Sequence, residues 1–144
     1  MSESEIWTTV QRHLNSIFSG DVAAYEATTS EDLSLFEWWV TPHRIDGLPF
    51  HEFMMKSNAQ RGTVFGSDAE QKAESRLDLA NLHIQRYGET AIASYTLLTS
   101  TAFPEGVRVN THNESRVMVK QAGKWKVVHV HKSPAWPAPH VQPG

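Results

Sequence analysis

The last third of the chain has two alternating segments with a tight turn between them, and this hairpin constrains the fold more than any other feature. The segments cover Asn113–Val119 and Trp125–Lys132, with Gly123 in the turn. Because successive side chains of a strand point to opposite faces, Glu114 and Arg116 share one face. The same alternation predicts one shared face for four residues of the second segment: Trp125, Val127, His129 and His131. An acid, a base and two imidazoles among large apolar groups indicate a lined cavity rather than a plain core.

The sequence pattern of the first half of the chain predicts two helices, then one strand, then a third helix. Apolar residues recur at helical spacing over 3–19, and Asp21 is typical of a cap for a short second helix that ends near residue 27. An aromatic-rich strand follows over 33–39. A proline at the first helical turn predicts a third helix from residue 50 to about residue 56. Residues 57–75 show no clear period and fit a loop that contains a fragment of strand or helix.

The second half predicts four long strands. Alternation and turn residues place them at Arg76–Tyr87, Thr90–Ala102, Val107–Val119 and Trp125–Lys132. Segregated helices and strands indicate an α+β fold in which the helices pack on one face of a curved antiparallel sheet and leave a conical pocket at one end. We expect one domain over residues 1–144, with a proline-rich C-terminal tail from about residue 133.

The composition and the net charge of the chain limit the partners, the chemistry and the location that we expect for it. The net charge is −3, so the chain has no basic excess with which to neutralise the phosphates of a nucleic acid. It has no cysteine, which excludes disulfides and thiol catalysis. Its N-terminus lacks the basic and apolar regions of a signal peptide, and no segment reaches membrane-spanning length. We therefore expect a cytoplasmic protein without nucleic-acid or membrane partners and without a cofactor.

Four stretches resemble one known family over nearly the whole chain: Leu33–Glu37, Asp46–Phe53, Glu114–Val117 and Gly123–Pro134. They are similar to the association (hub) domain of calcium/calmodulin-dependent protein kinase II. The resemblance implies a nuclear transport factor 2-like cone, also called cystatin-like. Its relatives include ketosteroid isomerase and the SnoaL-like polyketide cyclases. The kinase hub is non-catalytic and builds rings from dimers, and stand-alone relatives of this type are mainly bacterial.

The resemblance also implies a ligand pocket, because the hub holds small carboxylates with arginines and a histidine. His51 matches the histidine and Arg116 matches one arginine, whereas a second arginine position falls on Leu97. Trp38 and Trp39 replace less aromatic residues, which implies a more apolar pocket. With the hairpin pattern, this predicts seven ligand-binding residues: Arg116, His51, Tyr95, Trp38, Trp39, Glu114 and His129.

Several of these residues have alternative interpretations. Arg116 either anchors a ligand or forms a buried ion pair with Glu114 that only fixes the sheet. His129 and His131 have the spacing of metal ligands, but we expect a structural role and no metal. His51 is the best candidate for a general base, and hydrogen bonding without proton transfer is the preferred alternative.

Apolar residues are also expected on the outer face of the sheet, at Val117, Val119, Val128 and Val130. A monomer would have polar groups there, so this face predicts a second layer, most simply the sheet of another subunit in a homodimer. A higher-order ring remains compatible with this expectation.

Two functions follow from these residues. The favoured one is a self-associating hub-like domain that binds a small organic ligand, with a carboxylate as one option, and does not catalyse a reaction. The alternative is an isomerase, dehydratase or cyclase that uses His51 with Arg116 or Glu37 in a hydrophobic pocket. An enzyme needs an unpaired titratable group inside the cavity, and a binding domain does not.

Overall fold

The computed structural model describes residues 2–38, 41–53, 63–64, 67–68 and 75–135. Two helices come first, α1 (Ser2–Ser19) and α2 (Val22–Ala27). The carboxylate of Asp21 accepts a hydrogen bond from the backbone N–H of Ala24 at 3.1 Å, so the predicted cap is confirmed. A third helix, α3, covers residues 48–53. The end of this helix, predicted near residue 56, lies outside the described residues, as does most of 57–75. None of the helices in these ranges is long and apolar enough to cross a bilayer.

The strands comprise three short ones of two residues each and the five longer elements that the sequence predicted. In chain order they are β1 (Thr29–Glu37), β2 (Ile45–Asp46), β3 (Thr63–Val64), β4 (Ser67–Asp68), β5 (Ser75–Tyr87), β6 (Thr90–Phe103), β7 (Gly106–Gln121) and β8 (Lys124–Pro134). Strand β1 begins four residues earlier than predicted. Strand β8 continues to Pro134, two residues into the predicted tail. The turn between β7 and β8 has Ala122 and Gly123 at φ 50° and 79°, the left-handed geometry that suits a tight hairpin.

Six strands form one sheet in the order β2-β1-β8-β7-β6-β5. All neighbours are antiparallel except β1 and β8, which run parallel. Helix α1 covers the concave face with the apolar stripe that its spacing predicted, and these side chains join the core: Ile6, Val10, Leu14 and Ile17. The predicted α+β fold with helices on one face of the sheet is therefore confirmed, but the sheet is not wholly antiparallel as predicted, because β1 and β8 run parallel.

A β-bulge in β8 changes which side chains face the core. Met118 pairs with Val127 and Val117 pairs with His129, so Val128 is an extra residue without its own partner on β7. An extra residue in one strand reverses the alternation that follows it. Trp125 and Val127 are buried as predicted, but beyond the bulge the buried positions are Val130, Lys132 and Pro134. The predicted shared face for Trp125, Val127, His129 and His131 is thus wrong, and so is the prediction that Val130 faces outward.

Candidate functional site

Arg116 of β7 lies on the concave face and forms the first of two buried polar clusters. Its side chain is 1% exposed. Its Nη1 donates hydrogen bonds to Tyr95 Oη and to Glu114 Oε1, the latter at 2.5 Å. The hydroxyl of Tyr95 donates in turn to Glu114 Oε1 at 2.8 Å. The three side chains meet because Tyr95 of β6 pairs with Glu114 in register and Arg116 follows two residues later on the same face.

The charges of this cluster stabilise each other. Burial works against the Arg116 charge, but the Tyr95 oxygen and the Glu114 carboxylate outweigh it and raise the pKa of the guanidinium. Burial would also raise the pKa of Glu114, yet the Arg116 charge, aided by Lys132, lowers it below its ordinary value. Burial raises the pKa of Tyr95, so its hydroxyl stays protonated. The cluster is therefore an ionised pair with a neutral hydroxyl between the partners.

Glu37 is the centre of the second cluster, where four elements meet. Its Oε2 accepts a hydrogen bond from Lys132 Nζ at 2.9 Å, and its Oε1 lies 3.0 Å from His51 Nε2. The other imidazole nitrogen, Nδ1 of His51, lies 2.8 Å from the hydroxyl of Tyr25. Burial would raise the pKa of Glu37, but Lys132 and His51 together lower it well below its ordinary value. This cluster ties the ends of β1 and β8 to α2 and α3.

His13 of α1 extends the polar interior on the helical side. The imidazole is fully buried and stacks on Tyr25, with ring centroids 4.8 Å apart. Its Nδ1 lies 3.0 Å from Thr28 Oγ1. Burial, reinforced by the charges of Arg116 and Lys132, lowers the pKa of His13 well below its ordinary value. This histidine is therefore neutral under physiological conditions.

Two buried polar atoms of this interior lack a hydrogen-bond partner among the described residues. They are His13 Nε2 and Arg116 Nε, and a third such atom, Trp125 Nε1, lies on β8. Buried polar groups in native proteins are bonded in the great majority of cases, to protein or to water.

The structure brings four of the seven predicted site residues into this interior and leaves two elsewhere. Arg116, His51, Tyr95 and Glu114 are all buried there. Trp38 is 41% exposed, and its ring meets the edge of His112 at 5.8 Å. His129 lies on the outer face, 2.8 Å from Ser34 Oγ, which corrects its expected position beside Arg116. Trp39 lies outside the described residues.

Three residues of the interior were missed by the sequence analysis: His13, Tyr25 and Lys132. A signal existed for His13, which falls at helical spacing from Ile6 and Val10 on the apolar stripe. No such signal existed for Lys132, because strict alternation assigns it to the outer face. Within the residues that the structure describes, no group of three or more His, Asp or Glu side chains has the geometry to hold a metal ion.

The cone, its concave polar interior and the helices across it define a nuclear transport factor 2-like, cystatin-like protein. The chain belongs to the calcium/calmodulin dependent protein kinase II association domain family, whose model matches residues 2–136. This confirms the family to which the sequence motifs were similar.

Two relatives illustrate how the match extends across the chain. The calcium/calmodulin-dependent protein kinase type II alpha chain of Drosophila melanogaster is 28% identical over 132 residues, which is 90% of this chain and 23% of that relative. The type II subunit delta of Oryctolagus cuniculus is 27% identical over 138 residues, again 23% of the relative. The chain thus spans about a quarter of the length of these curated relatives.

Solved structures show the same fold. The association domain of the C. elegans kinase superposes with a TM-score of 0.73 at 25% identity and covers 92% of this chain and 95% of its own. The hub homology domain of Chlamydomonas reinhardtii gives a TM-score of 0.76 at 24% identity and covers 94% and 100%. A cystatin-like protein from Caulobacter vibrioides gives 0.70 at 16% identity and covers 94% and 90%.

Proposed function

We propose that this chain is a self-associating, non-catalytic domain that binds a small organic ligand inside its cone. Membership of an association domain family supports self-association. The ligand half of the proposal is carried by one observation: His13 Nε2 and Arg116 Nε are two of the three buried side-chain atoms that lack a hydrogen-bond partner among the described residues. A ligand or water that bonds both atoms would remove the free-energy cost of leaving them unsatisfied.

The pairing of the ionisable groups argues against catalysis. Arg116 is paired with Glu114, and Lys132 is paired with Glu37. Both ring nitrogens of His51 have partners, Glu37 on one side and Tyr25 on the other. A general base needs a lone pair that a substrate can reach, and these contacts occupy the groups that would supply it. The paired interior therefore favours binding over proton transfer.

The outer sheet face is the surface that we assign to self-association. It is defined here by Ser34, Phe36, Val117, His129 and His131. The ring of Phe36 packs 6.2 Å from that of His129 and 5.1 Å from that of His131, and Val117 pairs with His129. Aromatic and aliphatic groups that are only half buried on a sheet suit a second copy of the same face.

Sedimentation velocity at micromolar concentration tests the association half. We expect a dimer or a larger assembly of the 16.2 kDa chain. Val117→Lys introduces a charge into the outer sheet face and should lower the assembly mass. Gln11→Lys on the exposed side of α1 is the matched control and should leave the mass unchanged. A wild-type monomer at these concentrations would refute this half of the proposal.

Thermal shift assays test the ligand half. A ligand that binds only the folded state raises the midpoint of unfolding. We expect a shift from members of a panel of small carboxylates and their primary amides, and we expect Arg116→Met to abolish it. Arg44→Met, at an exposed pair with Asp46, is the control and should retain the shift. A panel without effect on the wild-type midpoint contradicts ligand binding.

One observation favours the alternative, an isomerase-like or dehydratase-like enzyme. His51 lies between a carboxylate and a tyrosine hydroxyl, which is an arrangement that orients an imidazole for proton transfer. Isomerisation of a β,γ-unsaturated ketone, followed by absorbance, tests this function. Turnover by the wild type that His51→Ala removes would favour the enzyme over the binding domain.

A further inference from the structure

A groove open to solvent lies where α1 meets the turn between β7 and β8. Its volume is about 420 Å³, which is within the range of small-molecule sites in proteins. One wall comes from the first three turns of α1, and the other comes from the ends of the two strands on either side of the turn. None of the residues of the two buried ion pairs lines this groove, so it is separate from the polar interior of the cone.

Three cationic side chains from two elements line the groove. Arg12 comes from α1, and Lys120 and Lys124 lie on opposite sides of the β7–β8 turn. The pairing of Lys120 with Trp125 in the hairpin brings the two lysines to the same end of the sheet. Glu5 is the one carboxylate among the described residues of the lining, so these side chains have a formal charge of +2. The whole chain, by contrast, has a net charge of −3.

The charges of the groove are not compensated within the protein. Among the residues that the structure describes, Arg12, Lys120 and Lys124 form no ion pair, and neither does Glu5. A cleft whose walls have one sign of charge raises the local concentration of ligands with the opposite sign. The groove therefore favours an anion.

The polar groups of the cations show which kind of anion fits. A guanidinium offers a planar fork of N–H donors that matches two oxygens of one oxyanion, and an ammonium donates as a compact charge. Trp125 also lines the groove, and its Nε1, which has no partner among the described residues, can only donate. A monoanion would compensate half of the formal charge, whereas a phosphate monoester carries a charge of about −1.5 to −2 at neutral pH and three acceptor oxygens.

We propose that the groove between α1 and the β7–β8 turn binds the phosphate group of a small phosphate monoester, with Arg12, Lys120 and Lys124 as the ligand-binding residues. The phosphate oxygens accept hydrogen bonds from the guanidinium and the two ammonium groups. The groove is larger than one phosphate group, so the organic part of the ester also has room in it. This site goes beyond the ligand proposed for the interior of the cone, and neither depends on the other.

Ligand-observed NMR titrations at neutral pH with phenyl phosphate and phenyl sulfate test the proposal. The two probes have nearly the same shape, but the sulfate ester carries a single charge. We expect phenyl phosphate to bind at least about threefold more tightly than phenyl sulfate, because its second charge meets a cation without a partner. Added salt should weaken the binding of both probes.

Single variants test the assignment of the residues. Arg12→Met, Lys120→Met and Lys124→Met should each reduce the affinity for phenyl phosphate by about two- to fivefold, the contribution of one ion pair near the surface. Glu5→Gln removes the carboxylate of the groove and should increase the affinity by a similar factor. Lys126→Met is the matched control, because it removes the same charge from β8 at a position that does not line the groove, and it should leave the affinity unchanged. Circular dichroism checks that each variant is folded.

The source of the phosphate group is tested by competition. Vesicles of phosphatidylcholine with phosphatidic acid present a phosphate monoester on a lipid. Displacement of phenyl phosphate by these vesicles, but not by phosphatidylcholine alone, would identify a lipid headgroup as the ligand, and no displacement would identify a soluble monoester.

Three results overturn the proposal. The first is the absence of phenyl phosphate binding to the wild type. The second is equal affinity for phenyl phosphate and phenyl sulfate. The third is an affinity for phenyl phosphate that Arg12→Met, Lys120→Met and Lys124→Met leave at the wild-type value. Each of them leaves the ligand proposed for the interior untouched, because that ligand is tested with other probes and with Arg116→Met.

Discussion

Glu37→Gln is the most informative single substitution, because the Glu37 carboxylate contacts both Lys132 and His51. The new amide keeps the shape of the side chain and can still accept from His51 through its oxygen. Its NH₂ group then faces the Lys132 ammonium, so two donors oppose each other. The substitution removes the carboxylate charge that faces the buried Lys132 ammonium.

The size of the effect follows from the burial of both partners. The side chains of Lys132 and Glu37 are 5% and 2% exposed. Removal of one partner of such a pair costs about 3–5 kcal/mol, because the remaining charge has lost its counterion but not its desolvation. For a domain of this size each kcal/mol changes the midpoint of thermal unfolding by about 3 °C, so we expect a decrease of about 10–15 °C.

A double-mutant cycle separates the pair from the rest of the fold. Lys132→Met alone leaves Glu37 without its ammonium partner and should destabilise by about 3 kcal/mol. The double variant Glu37→Gln, Lys132→Met removes both charges, and its free energy of unfolding should fall by about 1 kcal/mol or less. Urea unfolding followed by circular dichroism measures the free energies, at one fixed protomer concentration because assembly contributes to apparent stability.

If the losses in unfolding free energy of the two single substitutions add up to the loss of the double variant, this reasoning is refuted, because the two charges then do not interact. A small effect of Glu37→Gln alone would refute it as well. Asp46→Asn is the matched control, because it breaks the pair with Arg44 at a site where both side chains are more than half exposed. Solvent screens such a pair, so we expect no measurable change in the unfolding midpoint.

Three further outcomes are expected. The pKa of His13 lies well below its ordinary value of 6.5, so below about pH 6.5 the unfolded chain takes up a proton that the native state does not, and stability should fall as the pH drops. The free energy of unfolding, measured from pH 7.5 to 5, should fall less steeply in His13→Leu than in the wild type. Tyr25→Phe removes the hydroxyl that faces His51 Nδ1 and should cost about 1–3 kcal/mol in urea unfolding. Arg116→Met leaves the buried Glu114 carboxylate without its guanidinium partner and should cost about 3–5 kcal/mol in urea unfolding, and part of this free energy should return in the double variant Arg116→Met, Glu114→Gln.

The sequence predicted the parts of the fold that depend on local periodicity. The four long strands, the first two helices and the inward direction of Arg116 and Glu114 all follow from alternation, helical spacing and turn residues. The ion pair between Arg116 and Glu114 was one of the two interpretations of these residues, and the structure contains it. These predictions hold because β7 keeps an unbroken alternation from Glu114 to Met118.

The remaining site residues depend on contacts between elements that are distant in sequence. Glu37 and Lys132 are 95 residues apart and meet only because β1 lies parallel to β8, a pairing that no turn or local pattern predicts. Tyr25 and His51 meet across two helices for the same kind of reason. Local rules give the direction of a side chain, but not its partner on another element.

The bulge at Val128 determines which residues at the end of β8 face each side of the sheet. Beyond it, one face receives Lys132, which pairs with Glu37, and the other receives His129 and His131, which pack with Phe36. Because neighbouring side chains of a strand point to opposite sides, the two assignments cannot change independently. With regular alternation from Trp125, Lys132 would leave the interior and two imidazoles would enter it, so Glu37 would lose its ammonium partner. The charge balance of the interior and the aromatic character of the outer sheet face are therefore two consequences of one extra residue.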